Sequence, residues 1–145
     1  MNVAAVNAEA VAEVVDADDV IDVWSISTDQ PPAVLRRLRG LLDLDERDRA
    51  DRARDPVQGE RFTVVRGAVR LLVADRLGTE AADVVWQRGP HGKPAPVPRP
   101  ASDRIHVNWS ASGALAILAI ADGRRVGADV EEIRPPGVGT RIARR

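Results

Sequence analysis

The chain has 145 residues, enough for one domain with a buried core. Apolar residues make up 44%, aromatics 3%, and there is no cysteine. The core is therefore aliphatic, and disulfides, thiolate metal sites and cysteine nucleophiles are excluded. A net charge of −1 points to no nucleic-acid or membrane-surface partner, and no apolar run approaches the roughly 20 residues that span a bilayer.

Residues 1–19 are rich in Ala and Val but carry Glu9, Glu13, Asp16, Asp18 and Asp19. A secretory signal needs a basic start and an unbroken apolar stretch. This segment has neither, so it reads as an N-terminal extension, either a short helix or mobile, of a cytoplasmic protein. Val20 to Ser27 reads as a strand, broken by Pro31 and Pro32. A helix is expected from about Pro32 to Leu42, with Val34, Leu35, Leu38, Leu41 and Leu42 on one face. Asp45 to Arg54 alternates acid and base. It reads as a solvated helix with pairs three or four apart, or as one whose arginines face an anion.

Gln58 to Leu77 carries Phe62, Val65, Val69, Leu72 and Val73 at helical spacing, and Gly78 follows as a stop. Val84 to Gln87 reads as a strand. Residues 88–104 contain Gly89, Pro90, Gly92, Pro94, Pro96, Pro98 and Pro100 and are expected to lack regular structure. Three short strands are expected next, at Ile105–Trp109, Leu115–Ala121 and Val126–Val130. Asp122-Gly123 is a hairpin signal between the last two. This order predicts an α+β fold, a mainly antiparallel sheet packed on a long helix.

Four features carry chemistry. In a strand, Asp129 and Glu131 of Gly127-Ala128-Asp129-Val130-Glu131 present two carboxylates on one side, a donor set that suits Mg²⁺. Gly92-Lys93-Pro94 is a turn beside His91. Asn108-Trp109-Ser110-Ala111-Ser112-Gly113 offers hydroxyls and backbone N–H groups to a phosphate. Arg61 sits near a helix start, where anions are favoured. Taken singly, each is also an ordinary surface or turn pattern.

Their order and spacing resemble the surfactin-type 4′-phosphopantetheinyl transferases over roughly residues 20–134. That family has an arginine-bearing helix, a Gly-Lys-Pro loop, an Asn-x-Ser-His-Ser strand-turn and a Gly-x-Asp-x-Glu strand. The resemblance implies one half of the family's pseudo-dimer. It divides the chain into an extension (1–19), an N-terminal transferase subdomain (20–134) and a Pro/Gly/Arg tail (135–145) at the seam to a second half. It also implies transfer of phosphopantetheine from coenzyme A to a carrier-protein serine with Mg²⁺. Asp129 and Glu131 would be metal ligands. Arg61, Gly92, Lys93, Pro94, Ser110 and Ser112 would bind coenzyme A. The partner would be an acyl or peptidyl carrier protein.

Two departures qualify that expectation. Ala111 stands where the family has the histidine of Ser-His-Ser. The family's later Trp-x-x-Lys-Glu-Ala-x-x-Lys segment, with its third acidic ligand and candidate base, has no match, so no catalytic residue is identifiable. The expectation is a truncated transferase, weak or inactive alone, that needs a companion half or self-association. The alternatives are a working homo-oligomer, a non-catalytic coenzyme A- or carrier-protein-binding module, and an unrelated α+β domain.

Overall fold

The computed structural model describes residues 8–16, 19–88, 94–97 and 105–133. Strands β1 (Ala8–Asp16) and β2 (Asp19–Ser27) come first, followed by helices α1 (Pro32–Leu41), α2 (Leu44–Asp51) and α3 (Pro56–Leu77). A 3₁₀ turn at Ala81–Asp83 leads to β3 (Trp86–Arg88), β4 (Pro94–Pro96), β5 (Ile105–Ser112) and β6 (Leu115–Asp122). Among the described residues, one antiparallel sheet has the order β1-β2-β6-β5, and β3 pairs with β4. The fold is α+β, as the sequence predicts.

Each helix forms for readable local reasons. Pro32 opens α1, where its missing N–H costs nothing. Asp43 caps α2 through a capping box with Glu46, each side chain accepting from the other's backbone N–H. Asp55 caps α3, and Gly78 closes it in the left-handed conformation at φ 62°. Helix α3 is buried over most of its length, from Thr63 to Ala74. It packs with Ile26, Val107, Ala116, Leu118 and Ile120 of the sheet into one aliphatic core, with Leu38 of α1 completing it.

Helices α1 and α3 approach so closely that no side chain fits at Gly67. A Cβ there would lie 2.7 Å from Leu38 Cβ and 3.1 Å from its Cα. The exposed pair Arg39–Asp51 ties α1 to α2 at 2.8 Å, and the Arg39 bond holds the Asp51 carboxyl below its ordinary pKa.

Several sequence expectations change. Ala8–Asp16 is a strand laid antiparallel on β2, not a helix, because its Ala/Val pattern finds a sheet edge to extend. The Pro-rich stretch holds a short strand at Pro94–Pro96, where prolines are tolerated beside a single partner. Strand β5 runs past the expected end at Trp109, so Ser110 to Ser112 lie inside it rather than in a turn. The turn is at Gly113, φ 58°.

Val126–Val130 is not a strand, and Asp122-Gly123 opens no hairpin. The segment crosses the face of the sheet opposite α3. There Val126 and Ala128 pack on Ala119, Ala121 and Ile21, out of reach of a backbone ladder.

Gly67→Ala tests the helix contact. Helix propensity alone favours alanine by about 1 kcal/mol. Overpacking against Leu38 costs about 1–3 kcal/mol. Net destabilisation is expected, read as a lower urea midpoint with unchanged slope; a raised midpoint would show that α1 yields.

Candidate functional site

The site begins at a buried ion cluster. Glu46, 7% exposed, accepts from Arg66 Nε at 2.7 Å and from Arg70 Nε at 2.7 Å. Arg70, 1% exposed, also donates to Asp43 Oδ2 at 2.6 Å and to the carbonyls of Val84 at 2.8 Å and Ala81 at 3.3 Å. One guanidinium thus satisfies the α2 cap, the α2 acid and the chain leading into β3. Buried charge is tolerated only when paired and hydrogen-bonded in this way. Burial pushes the Arg66 pKa down, with the Glu46 carboxylate opposing that shift.

The Arg66 guanidinium continues outward between two indoles. It lies 4.9 Å from the Trp86 ring centroid and 4.8 Å from that of Trp109. The two rings meet edge to face at 5.5 Å. Together they form one wall of a 750 Å³ cavity between α2, α3, β3, β4 and β5. Arg49 and Arg61 line the helical side of this cavity, with Arg49 5.0 Å over the Phe62 ring.

The sequence-predicted residues distribute as follows. Arg61 lines the cavity and donates to Asp29 Oδ1 from Nε and Nη2 at 3.3 Å each. Pro94, Ser110 and Ser112 line it too, as does Ala111. Gly92, Lys93 and His91 lie outside the described residues.

Neither Asp129 nor Glu131 lines the cavity; Asp129 is tied to its edge by Ser110, whose hydroxyl donates to Asp129 Oδ1 at 2.8 Å. Glu131 is exposed. Because 125–133 is irregular, the period-two argument for a shared carboxylate face does not apply. Among the described residues, no three Asp, Glu, His or Cys side chains gather as a metal site. Mg²⁺ in general takes one or two carboxylates together with waters and substrate oxygens.

Sequence reasoning missed Glu46, Arg66 and Arg70. The signals were Asp43-x-x-Glu46, a capping box, and two arginines four apart inside an otherwise apolar helix. Reading Asp45 to Arg54 as solvated overlooked that the box acid turns inward.

No described helix is long and apolar enough to cross a membrane. No protein-family model matches the chain. It is 35% identical over 127 residues to 4′-phosphopantetheinyl transferase HetI of Nostoc sp., covering 88% of this chain and 54% of that protein. It is 27% identical over 123 residues to the putative 4′-phosphopantetheinyl transferase slr0495 of Synechocystis sp., covering 85% of this chain and 49% of that protein. The chain thus spans about half the length of the curated relatives it matches.

Glu46→Gln leaves two buried guanidiniums without their shared counter-charge. A loss of about 3–5 kcal/mol is expected in chemical denaturation, with altered fluorescence from Trp86 and Trp109. A loss under about 1 kcal/mol would mean the cluster is no more than a surface pair.

Proposed function

We propose that this chain carries part of a surfactin-type 4′-phosphopantetheinyl transferase, which moves phosphopantetheine from coenzyme A to a serine of an acyl or peptidyl carrier protein. The observation that carries this reading is the 35% identity, over 88% of the chain, to a protein of that name. The ordered motifs around Arg61, Gly92-Lys93-Pro94, Asn108 to Ser112 and Asp129-Val130-Glu131 support it.

The cavity suits an anionic nucleotide. Arg49 and Arg61 line one flank beside Asp43, Asp45 and Glu46 and offer cations that a phosphate can meet, and the Trp86 and Trp109 faces offer apolar area. In this reading Arg61 meets a phosphate of coenzyme A, and Gly92, Lys93 and Pro94 line its nucleotide end. Ser110 and Ser112 border the pyrophosphate. Asp129 and Glu131 hold Mg²⁺, which when bound offsets charge on the pyrophosphate and the leaving oxygen.

The carrier serine oxygen forms a bond to the phosphorus bearing the pantetheine arm. The bond from that phosphorus to the leaving oxygen breaks, and 3′,5′-adenosine bisphosphate departs with the electron pair. The serine's hydroxyl proton passes to solvent water. Such phosphoryl transfers depend mainly on positioning and charge neutralisation, which is what an arginine flank and an acidic rim provide.

A second reading, binding of coenzyme A or a carrier protein without transfer, is favoured by Ala111. Its exposed methyl lines the cavity where the family carries an imidazole. A hydrogen bond to a charged group contributes about 1.5–3 kcal/mol, so affinity is expected to fall about tenfold to a hundredfold for want of it.

Incubation with Mg²⁺, coenzyme A and an apo carrier protein, followed by intact mass measurement, separates the readings. Addition of one phosphopantetheine arm that disappears in Asp129→Ala is the expected result if this chain builds a complete site, alone or as an oligomer. Coenzyme A binding by calorimetry without mass gain leaves the binding module and a transferase that needs its companion half, and mass gain on adding that half in trans selects the transferase. A folded sample that neither binds nor transfers, with the half added, sinks both.

A further inference from the structure

Segment 126–133 makes no strand, yet four of its residues are tied to β5 or to each other. Asn108 Oδ1 accepts from the Ala128 N–H at 2.6 Å. Ser110 Oγ donates to Asp129 Oδ1 at 2.8 Å. Ser112 Oγ accepts from the Glu132 N–H at 3.0 Å. The Val130 N–H donates to Asp129 Oδ1 at 3.1 Å.

Residues 108, 110 and 112 alternate with 107, 109 and 111 along β5, so they share the face away from α3. They meet 128, 129 and 132 in rising order, so the segment runs parallel to β5. We propose that Asn108, Ser110 and Ser112 form a side-chain ladder that positions the Asp129 carboxylate for a divalent cation. This role rests on the magnesium-dependent reading above.

The donor count supports positioning over ligand contact at Ser110. A serine hydroxyl has one proton. Ser110 gives it to Asp129, so it has none for a phosphate oxygen. Ser112 accepts from Glu132 and keeps its proton for such an oxygen.

The bonds from Ser110 and Val130 both fall on Asp129 Oδ1, so neither donor occupies Oδ2. Partners behind a ligand orient it in this manner, and their loss typically weakens metal binding about 10- to 100-fold. The turn helps to hold the far end. At Gly113 a Cβ would come 3.0 Å from Glu132 Oε2, so glycine lets Glu132 lie against the turn.

The test pairs amide hydrogen exchange with binding of Mn²⁺ alone, followed by electron paramagnetic resonance, on the full 145-residue chain. Asn108→Ala should lose protection at the Ala128 amide, and Asn108→Asp, which keeps the acceptor, should retain it. Ser110→Ala should weaken Mn²⁺ binding at least about tenfold, and Ser110→Thr should restore it. Asp129→Asn should abolish Mn²⁺ binding while the Ala128 amide stays protected.

An Ala128 amide still protected in Asn108→Ala overturns the ladder. Unchanged Mn²⁺ affinity in Ser110→Ala overturns its positioning role. If the unmodified chain takes up no Mn²⁺ while Asn108→Ala still exposes the Ala128 amide, the magnesium reading fails and the ladder serves only to cover the sheet.

Discussion

The carboxylate of Glu46, held between the guanidiniums of Arg66 and Arg70, is the interaction on which the rest of the arrangement depends. It joins three things that the backbone alone would leave apart. Glu46 belongs to the α2 capping box, so its inward turn fixes the start of α2. Arg70 reaches past it to the Val84 and Ala81 carbonyls, so the chain entering β3 is set against α3. Arg66, itself buried, extends the cluster to the cavity wall between Trp86 and Trp109. Replacing a buried ion triad by apolar residues of similar volume is often neutral or stabilising. What the ions add is direction: each hydrogen bond has one geometry, and together they set where the cavity wall stands.

Strand β5 then divides the molecule by the simple alternation of its side chains. Val107 and Trp109 face the helices, one in the core and the other in the cavity wall. Asn108, Ser110 and Ser112 alternate with them, bond the acidic segment and border the cavity at the edge of the sheet. A single strand thereby sets the distance between the arginine flank and the acidic rim. A one-residue slip in its register with β6 would exchange the two faces. The buried Ala116, Leu118 and Ile120 of β6, which sit opposite Ala111, Trp109 and Val107, oppose such a slip.

The parts of this arrangement legible in the sequence are those written in short-range pattern. The α3 stripe, the Gly78 stop, the Pro32 start and strands β2, β5 and β6 all announce themselves through periodicity and caps. Ala8–Asp16 and Pro94–Pro96 do not, because each needs a neighbour, β2 or β3, that sequence pattern does not place beside it. Val126–Val130 has strand composition but no ladder to join. Its backbone groups turn instead to Asn108 and Ser112, some 20 residues earlier. Glu46, the centre of the buried cluster, was hidden for the opposite reason. Charged residues in a charge-rich stretch read as solvated, and only the packing of α2 on α3 shows which one is not.

The cavity's charges are held with unequal firmness, and that inequality bears on function. Arg66 and Arg70 are locked in buried pairs, so a ligand cannot recruit them without unmaking the fold. Arg61 is different. Its Asp29 partner is 63% exposed, and both bonds are 3.3 Å. Exposed pairs of this kind contribute at most about 1 kcal/mol. A phosphate offers the same guanidinium shorter, charge-assisted and bidentate bonds, so Asp29 does not hold Arg61 against one. Arg49, over Phe62, is likewise held by a ring face rather than by a buried ion. The two arginines that line the open side are thus the two whose present contacts are weakest. A site for an anion needs that division: fixed charge beneath to shape the wall, and exchangeable charge above to meet the ligand.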